Sequence, residues 1–295
     1  VVNNMCMLLS IGFIMLTRLN QAKALRQLLF ACVALIITCF IPLFIGNVKL
    51  IKGLKLFYIV AGIILLGIVA VAGGTTYGAK INISVGGIAI QPSEFVKILM
   101  VLFIACMLYK DTSRKQVFTT VILCCILILI LAYSRDLGNA MIFFLTMLVM
   151  VYATTQKPVY LLGGAGLFAV AALVGYAAFA HVRTRVIAWK DPLSVVDGAG
   201  YQISQSLFAI GSGGWFGTGL YQGMPKRIPV VETDFIFSAI SEELGGLFAL
   251  CLIFICIANF LMFFNIALTI KNRFYKIIAI GLGALYASQV FTTLG

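Results

Sequence analysis

Charge is what this chain has least of. Only 10% of its 295 residues are Asp, Glu, Lys or Arg, nine of them are acidic, and histidine occurs once. The hydrophobic share is 62%, where roughly half is usual for a soluble domain. That excess cannot be hidden from water, which excludes a water-soluble globular fold. A helix needs roughly 20 apolar residues to cross a bilayer, and such runs recur along the whole chain. The composition predicts an all-α fold, a polytopic integral membrane helical bundle, with residues 1–295 forming a single integral membrane domain.

Other absences narrow the function. The formal charge is +12, yet no basic run or aromatic-interleaved patch occurs, so nucleic acid is not an expected partner. The 21 basic residues are scattered through short connectors, where Lys and Arg flank spans or meet lipid phosphates. The eight cysteines form no CxxC pair, and the large polar loop holds none, so neither disulfides nor zinc sites are expected. GGTTYGAK at 73–80 lacks the adjacent Gly-Lys and the Ser/Thr of a phosphate-binding loop, and GxSxG, HExxH and GxGxxG find no supporting context. Cytosolic nucleotide hydrolysis is therefore not expected. No period of 20–50 residues repeats. The chain opens at Val1 without methionine, has no small-residue cleavage site, and stops inside an apolar run, which reads as a fragment trimmed at both ends.

Apolar runs fall at 5–17, 28–46, 56–73, 91–109, 117–133, 137–155, 159–181, 234–265 and 277–295, giving nine candidate helices, the last cut short. With the amino terminus cytoplasmic, the inside connectors NVKLIKGLK, YKDTSRK, TQKP and IKNRFYK hold ten basic residues against one acid, Asp111. The outside connectors also hold ten, but five of these lie in the long 182–233 loop, which the positive-inside rule weights weakly. Arg18, Lys23 and Arg26 argue the other way. This orientation places the 182–233 loop, the 74–90 loop and Asp136 outside. Three of the six prolines and eight of the 28 glycines lie in the large loop. Its middle, from Tyr201 to Ile210, is expected to form a short helix lining a cavity.

The polar residues that interrupt this scaffold are the candidates for chemistry. Asp234 is expected to begin a helix at the outer membrane edge, either as an N-cap or as a general base or metal-holding carboxylate. Ser238 and Ser241 would share its face. Glu242 lies eight residues on, roughly 12 Å along a helix axis, beside Glu243. Both need a cation such as Lys97, Arg185 or another, and structural pairing and a substrate pathway are both open readings. Gln91-Pro92 starts a helix on which Glu94 and Lys97 share a face, as a structural pair or as part of a cavity. Asp136 pairs with Arg135 or faces the outer cavity. Arg183, Arg185 and Lys190 flank the loop, where guanidinium groups suit headgroup anchoring or phosphate binding. His181, at a helix end, has no assigned role.

The elements GAKINISVGGIAIQPSEFVK, RDLGNA, RVIAWKDP, GYQISQSLFAIGSGGWFGTGL and PKRIPVVETDFIFSAISEELG, taken in that order over Tyr77 to Gly246, resemble the SEDS family. Its members (shape, elongation, division and sporulation proteins) include RodA, FtsW and SpoVE; QPSEF and the TDFIF run are slightly more RodA-like. The resemblance implies a ten-span glycosyltransferase that polymerises lipid II into peptidoglycan on the outer face of the bacterial cytoplasmic membrane. It also implies a class B penicillin-binding protein as transpeptidase partner, beside other elongation or division proteins. The family's essential aspartate falls on Asp234, its QPSE glutamate and following lysine on Glu94 and Lys97, and its loop aspartate on Asp136. The chain departs from the pattern at SRDLG, at Asn82 and at Glu232, and lacks the family's last span.

On this reading Asp234 deprotonates the acceptor sugar hydroxyl, directly or through a divalent cation, Mg2+ or Mn2+. Arg183, Arg185, Lys97 or Lys226 offset the charge of the leaving diphosphate. Ser238 and Glu242 complete the cavity set. The rival expectations are a lipid II flippase or other transporter, and a non-enzymatic membrane scaffold of the cell-wall machinery.

Overall fold

The computed structural model describes residues 1–46, 48–76, 79–85 and 88–294. Asn47, Tyr77, Gly78, Gly86, Gly87 and Gly295 lie outside the described residues; they fall in the first inside connector, the 73–80 near miss, the first family-like element and the final run. In chain order the helices are α1 (Val2–Leu19), α2 (Gln21–Ile45), α3 (Val48–Gly53) and α4 (Lys55–Ala72). Strands β1 (Gly74–Thr76), β2 (Ala79–Val85) and β3 (Ile88–Ile90) follow, then α5 (Pro92–Leu108), α6 (Arg114–Tyr133), α7 (Leu137–Thr155), α8 (Pro158–Ala178) and α9 (Ala180–Lys190). The chain continues with α10 (Tyr201–Gly213), α11 (Ile236–Leu244), α12 (Gly246–Thr269) and α13 (Arg273–Leu294). Among the described residues, eight helices are long and apolar enough to cross a membrane by length and composition. The architecture is that of a multi-pass helical membrane protein.

Three expectations are corrected. The run from Asp234 is not one helix: it breaks at Gly245, whose φ of 90° lies in the left-handed region that favours glycine, into α11 and α12. The 74–90 connector is not plain loop, because β1, β2 and β3 form a three-stranded antiparallel sheet with Thr76 opposite Ala79 and Ile83 opposite Ile90. The first run, short for a span, is extended by Val2 to Asn4 and by Arg18 and Leu19 into an 18-residue helix.

The chain divides into two compact units. One comprises residues Pro42–Gly164 and Phe260–Thr292. Its core is built from Val96, Met100, Val101, Phe103, Ile104 and Leu108 on α5, with Leu127 on α6, Phe143 and Met150 on α7, and Phe274 on α13. In lipid, helices associate through close packing rather than hydrophobic drive, and small residues permit it. Gly62 accordingly faces Val96 and Leu127, and Gly281 faces Met150 and Val101. Local signals set the helix starts. Pro92 opens α5 at a position where its missing N–H costs nothing, and Ser113 Oγ accepts the Gln116 amide at the start of α6.

This unit also joins the connectors expected on the cytoplasmic side. Lys52 Nζ stands 4.2 Å from the Tyr109 ring centroid and 5.0 Å from that of Phe274, and Arg273 donates to the Thr154 carbonyl at 3.2 Å.

The other unit comprises residues Val1–Ile41, Ala165–Asn259 and Thr293–Gly295. It holds α1, α9, α10 and α11. The Tyr201–Ile210 helix is present as α10, and the approach to it, through Arg183 and Arg185, is itself helical, as α9.

Candidate functional site

Asp234 stands on a tight turn rather than in a helix. The amides of Thr233 and Asp234 both donate to the Val230 carbonyl, at 3.1 and 3.2 Å. Val230 is held at φ 59°, an outlier for a β-branched residue, and such strain clusters where structure is fixed for a purpose. Buried Ile228 and Val231 anchor the turn. The N-cap of α11 is Phe235, with no side-chain cap, so the expectation that Asp234 begins the helix is overturned. The Asp234 side chain is exposed, and its carboxylate meets no donor among the described residues.

The carboxylates on either side are occupied. Glu232, two residues earlier, accepts from Lys23 Nζ at 3.1 Å and, at the long distance of 3.5 Å, from Asn20 Nδ2. The hydrogen bond from Lys23 holds its carboxyl below the ordinary range. Glu243, 1% exposed, takes Arg18 Nε at 3.2 Å, and Glu242, 7% exposed, accepts the Met224 amide at 2.8 Å. The cation sought for this pair is Arg18, not Lys97 or Arg185; sequence reasoning missed it because it lies 225 residues away. Arg18 also donates to the Gly223 carbonyl at 3.4 Å and lies 4.6 Å from the Tyr221 ring centroid. One oxygen of each glutamate, Oε2, has no hydrogen-bond partner.

The glycine-rich segment after α10 closes over the break between α11 and α12. Thr218 and Gly219 donate to the Glu242 and Glu243 carbonyls at 2.9 and 3.0 Å, and Leu247 donates to the Trp215 carbonyl at 3.2 Å. These bonds satisfy backbone groups that a helix break leaves open. Ser238 is 3% exposed, and its hydroxyl shares a 2.5 Å hydrogen bond with that of Ser206 on α10. Ser241 turns back to the Phe237 carbonyl at 2.9 Å.

Arg183, Arg185 and Lys226 belong to the same unit as Asp234, are exposed, and form no ion pair among the described residues. That leaves their charge available to an anion. No group of three His, Cys, Asp or Glu side chains gathers to hold a metal among the described residues. A divalent ion at Asp234 would draw its other oxygens from water and substrate, an arrangement usual for Mg2+.

In the other unit, Lys97 is 3% exposed and meets Glu94 Oε1 at 2.7 Å, while Gln289 donates to Glu94 Oε2 at 3.3 Å. Asp136 makes no ion pair with Arg135; it caps α7 by accepting the Asn139 amide at 3.2 Å. Asn139 Nδ2 then donates both to Asp136 Oδ2 at 2.8 Å and to Ser93 Oγ at 3.4 Å, joining α7 to the start of α5. Glu94, Lys97 and Asp136 thus share one unit, and Asp234, Arg183, Arg185 and Lys226 share the other.

Known proteins resemble this chain in sequence and in fold. The peptidoglycan glycosyltransferase RodA of Mycobacterium bovis is 36% identical over 239 residues, covering 74% of this chain and 50% of its own. A probable peptidoglycan glycosyltransferase FtsW of Aliivibrio salmonicida is 30% identical over 309 residues, covering 98% of this chain and 75% of its own. The chain thus spans about half the length of the mycobacterial relative. A solved chain, from work described as "Structural coordination of polymerization and crosslinking by a peptidoglycan synthase complex", covers the whole chain and 85% of its own length. Its TM-score is 0.79 at 24% identity, a likeness of fold. The FtsW, RodA and SpoVE family model, described as cell cycle protein, matches residues 2–295. With this match along its length and relatives of both the RodA and FtsW kinds, the chain belongs to the FtsW/RodA/SpoVE family.

Proposed function

We propose that this protein is a peptidoglycan glycosyltransferase that polymerises lipid II on the outer face of the bacterial cytoplasmic membrane. The observation that carries the reading is Asp234: an exposed carboxylate, unpaired among the described residues, on a strained turn, in a unit whose glutamates at 232, 242 and 243 are engaged. The names of the relatives support the reaction class.

The Asp234 carboxylate accepts the proton of the acceptor sugar hydroxyl. The freed oxygen forms a bond to the donor's anomeric carbon, the bond from that carbon to diphosphate breaks, and undecaprenyl diphosphate leaves. Arg183, Arg185 and Lys226 supply positive charge for the departing diphosphate. A divalent cation, where used, would be held by Asp234 and would neutralise phosphate charge. A class B penicillin-binding protein is the proposed partner, in keeping with the synthase complex in which a chain of this fold was solved.

Positioned base catalysis contributes about 10²–10⁴-fold, so Asp234→Asn should lower strand synthesis by at least ~100-fold while the protein still folds. The test gives lipid II to the full-length protein with its class B partner and resolves glycan strands on a gel, with and without a chelator. Strands from wild type alone support the assignment. Equal strands from both proteins would move the chemistry away from Asp234. If neither makes strands with folding intact, lipid II transport becomes the leading reading. Loss of strands on chelation, restored by Mg2+ or Mn2+, would establish the metal-assisted form.

A further inference from the structure

The turn between α1 and α2 touches the stretch that carries Asp234 on both sides. Ahead of Asp234, Lys23 and Asn20 hold Glu232; beyond it, Arg18 holds Glu243. Among the described residues Asp234 is held through its amide, which donates to the Val230 carbonyl at 3.2 Å. The direction of its carboxylate is therefore set by the 230–234 turn, and Glu232 is where side chains of another element grip that turn.

We propose that Lys23 and Asn20 are positioning residues for Asp234, steadying its turn through Glu232; this rests on Asp234 being the general base. The ion pair is partly exposed, with Lys23 and Glu232 side chains 47% and 23% accessible, so it adds little to global stability. Its effect is local. A misplacement of about 1 Å at a reacting group costs on the order of 100-fold in rate, and a turn loosened at Glu232 would sample such displacements.

The experiment uses the full-length protein with its class B partner and lipid II, comparing Lys23→Glu, Glu232→Lys, the double exchange, and Lys23→Arg. Each single reversal should lower kcat by about tenfold or more, with KM within about twofold and melting temperature unchanged. The double exchange and Lys23→Arg should recover to within about threefold of wild type. Wild-type kcat in the single variants, or a loss that the exchange does not rescue, overturns the proposal. Asp234→Asn is measured alongside, and normal activity there refutes the general-base reading by itself. Hydrogen exchange of residues 230–236 then judges the tether independently of catalysis. Faster exchange in the single variants, restored in the double, upholds it; unchanged exchange refutes it.

Discussion

The Gly246 amide donates to the Gly214 carbonyl at 2.8 Å, across the point where one apolar run becomes two helices. The contact is main chain against main chain, and it leaves no room for side chains. A Cβ on Gly217 would run into the Glu243 carbonyl, and one on Gly245 into the Gly217 amide. Both positions also have positive φ, 79° and 90°.

Gly217→Ala and Gly245→Ala should therefore each lower stability by at least about 1–3 kcal/mol, read as thermal unfolding in detergent. Gly211, exposed on α10 with nothing within 4 Å of a built Cβ, is the control. Gly211→Ala should be neutral or gain up to ~1 kcal/mol from helix propensity. Equal melting temperatures for all three variants would refute the main-chain joint.

Arg18→Ala should be among the most damaging single changes in its unit. It strips the guanidinium from a glutamate whose side chain is fully buried, a loss of about 3–5 kcal/mol by analogy with other broken buried pairs. Glu243→Gln, which keeps the shape and removes the charge, should cost less. Unfolding of the purified variants decides the order.

The Glu94–Lys97 pair predicts an asymmetry. Glu94 is 48% exposed and is also held by Gln289, whereas Lys97 is 3% exposed. Removing the carboxylate strands a buried ammonium, and removing the ammonium leaves a half-exposed carboxylate that Gln289 still holds. Glu94→Gln should then destabilise by about 1–3 kcal/mol more than Lys97→Met. A reversed order in thermal unfolding would show that the glutamate is the costly partner.

Acid should loosen the Asp234 turn. The Glu232 carboxyl is depressed in the folded state, first by its hydrogen bond from Lys23, so its contribution is fully present above the unfolded carboxylate pKa. It is lost as pH falls through the lower, folded value. Hydrogen exchange at 230–236, corrected for intrinsic rates, should rise across that acid range, and the rise should be absent in Glu232→Gln.

The spans were legible because bilayer thickness fixes how long an apolar run must be, and most runs became helices close to their expected limits. The break at Gly245 was not, since LGGLFAL reads as continuous hydrophobicity until the Gly214 carbonyl is seen opposite. The sheet left a trace that a period-two reading would find: Lys80 to Val85 alternates polar and apolar residues. Thr233-Asp234 carries the composition of an N-cap, but the bonds to the Val230 carbonyl claim these residues for a turn and delay α11 to Ile236. Asp136 shows the reverse case: its sequence context suggests a partner of Arg135 or a cavity residue, and it caps α7 instead. Arg18 lay beyond any local reading, because nothing in LTRLNQ points to a carboxylate on the far side of the chain.

That separation has a consequence in time. Arg18 is synthesised 225 residues before Glu243. At about 5–20 residues per second it waits roughly 10–45 s for its counter-charge. Residues Pro42–Gly164, the larger segment of one compact unit, emerge wholly within that interval. The order of translation lets α4 to α7 settle against each other before the segment bearing Asp234 meets its anchor.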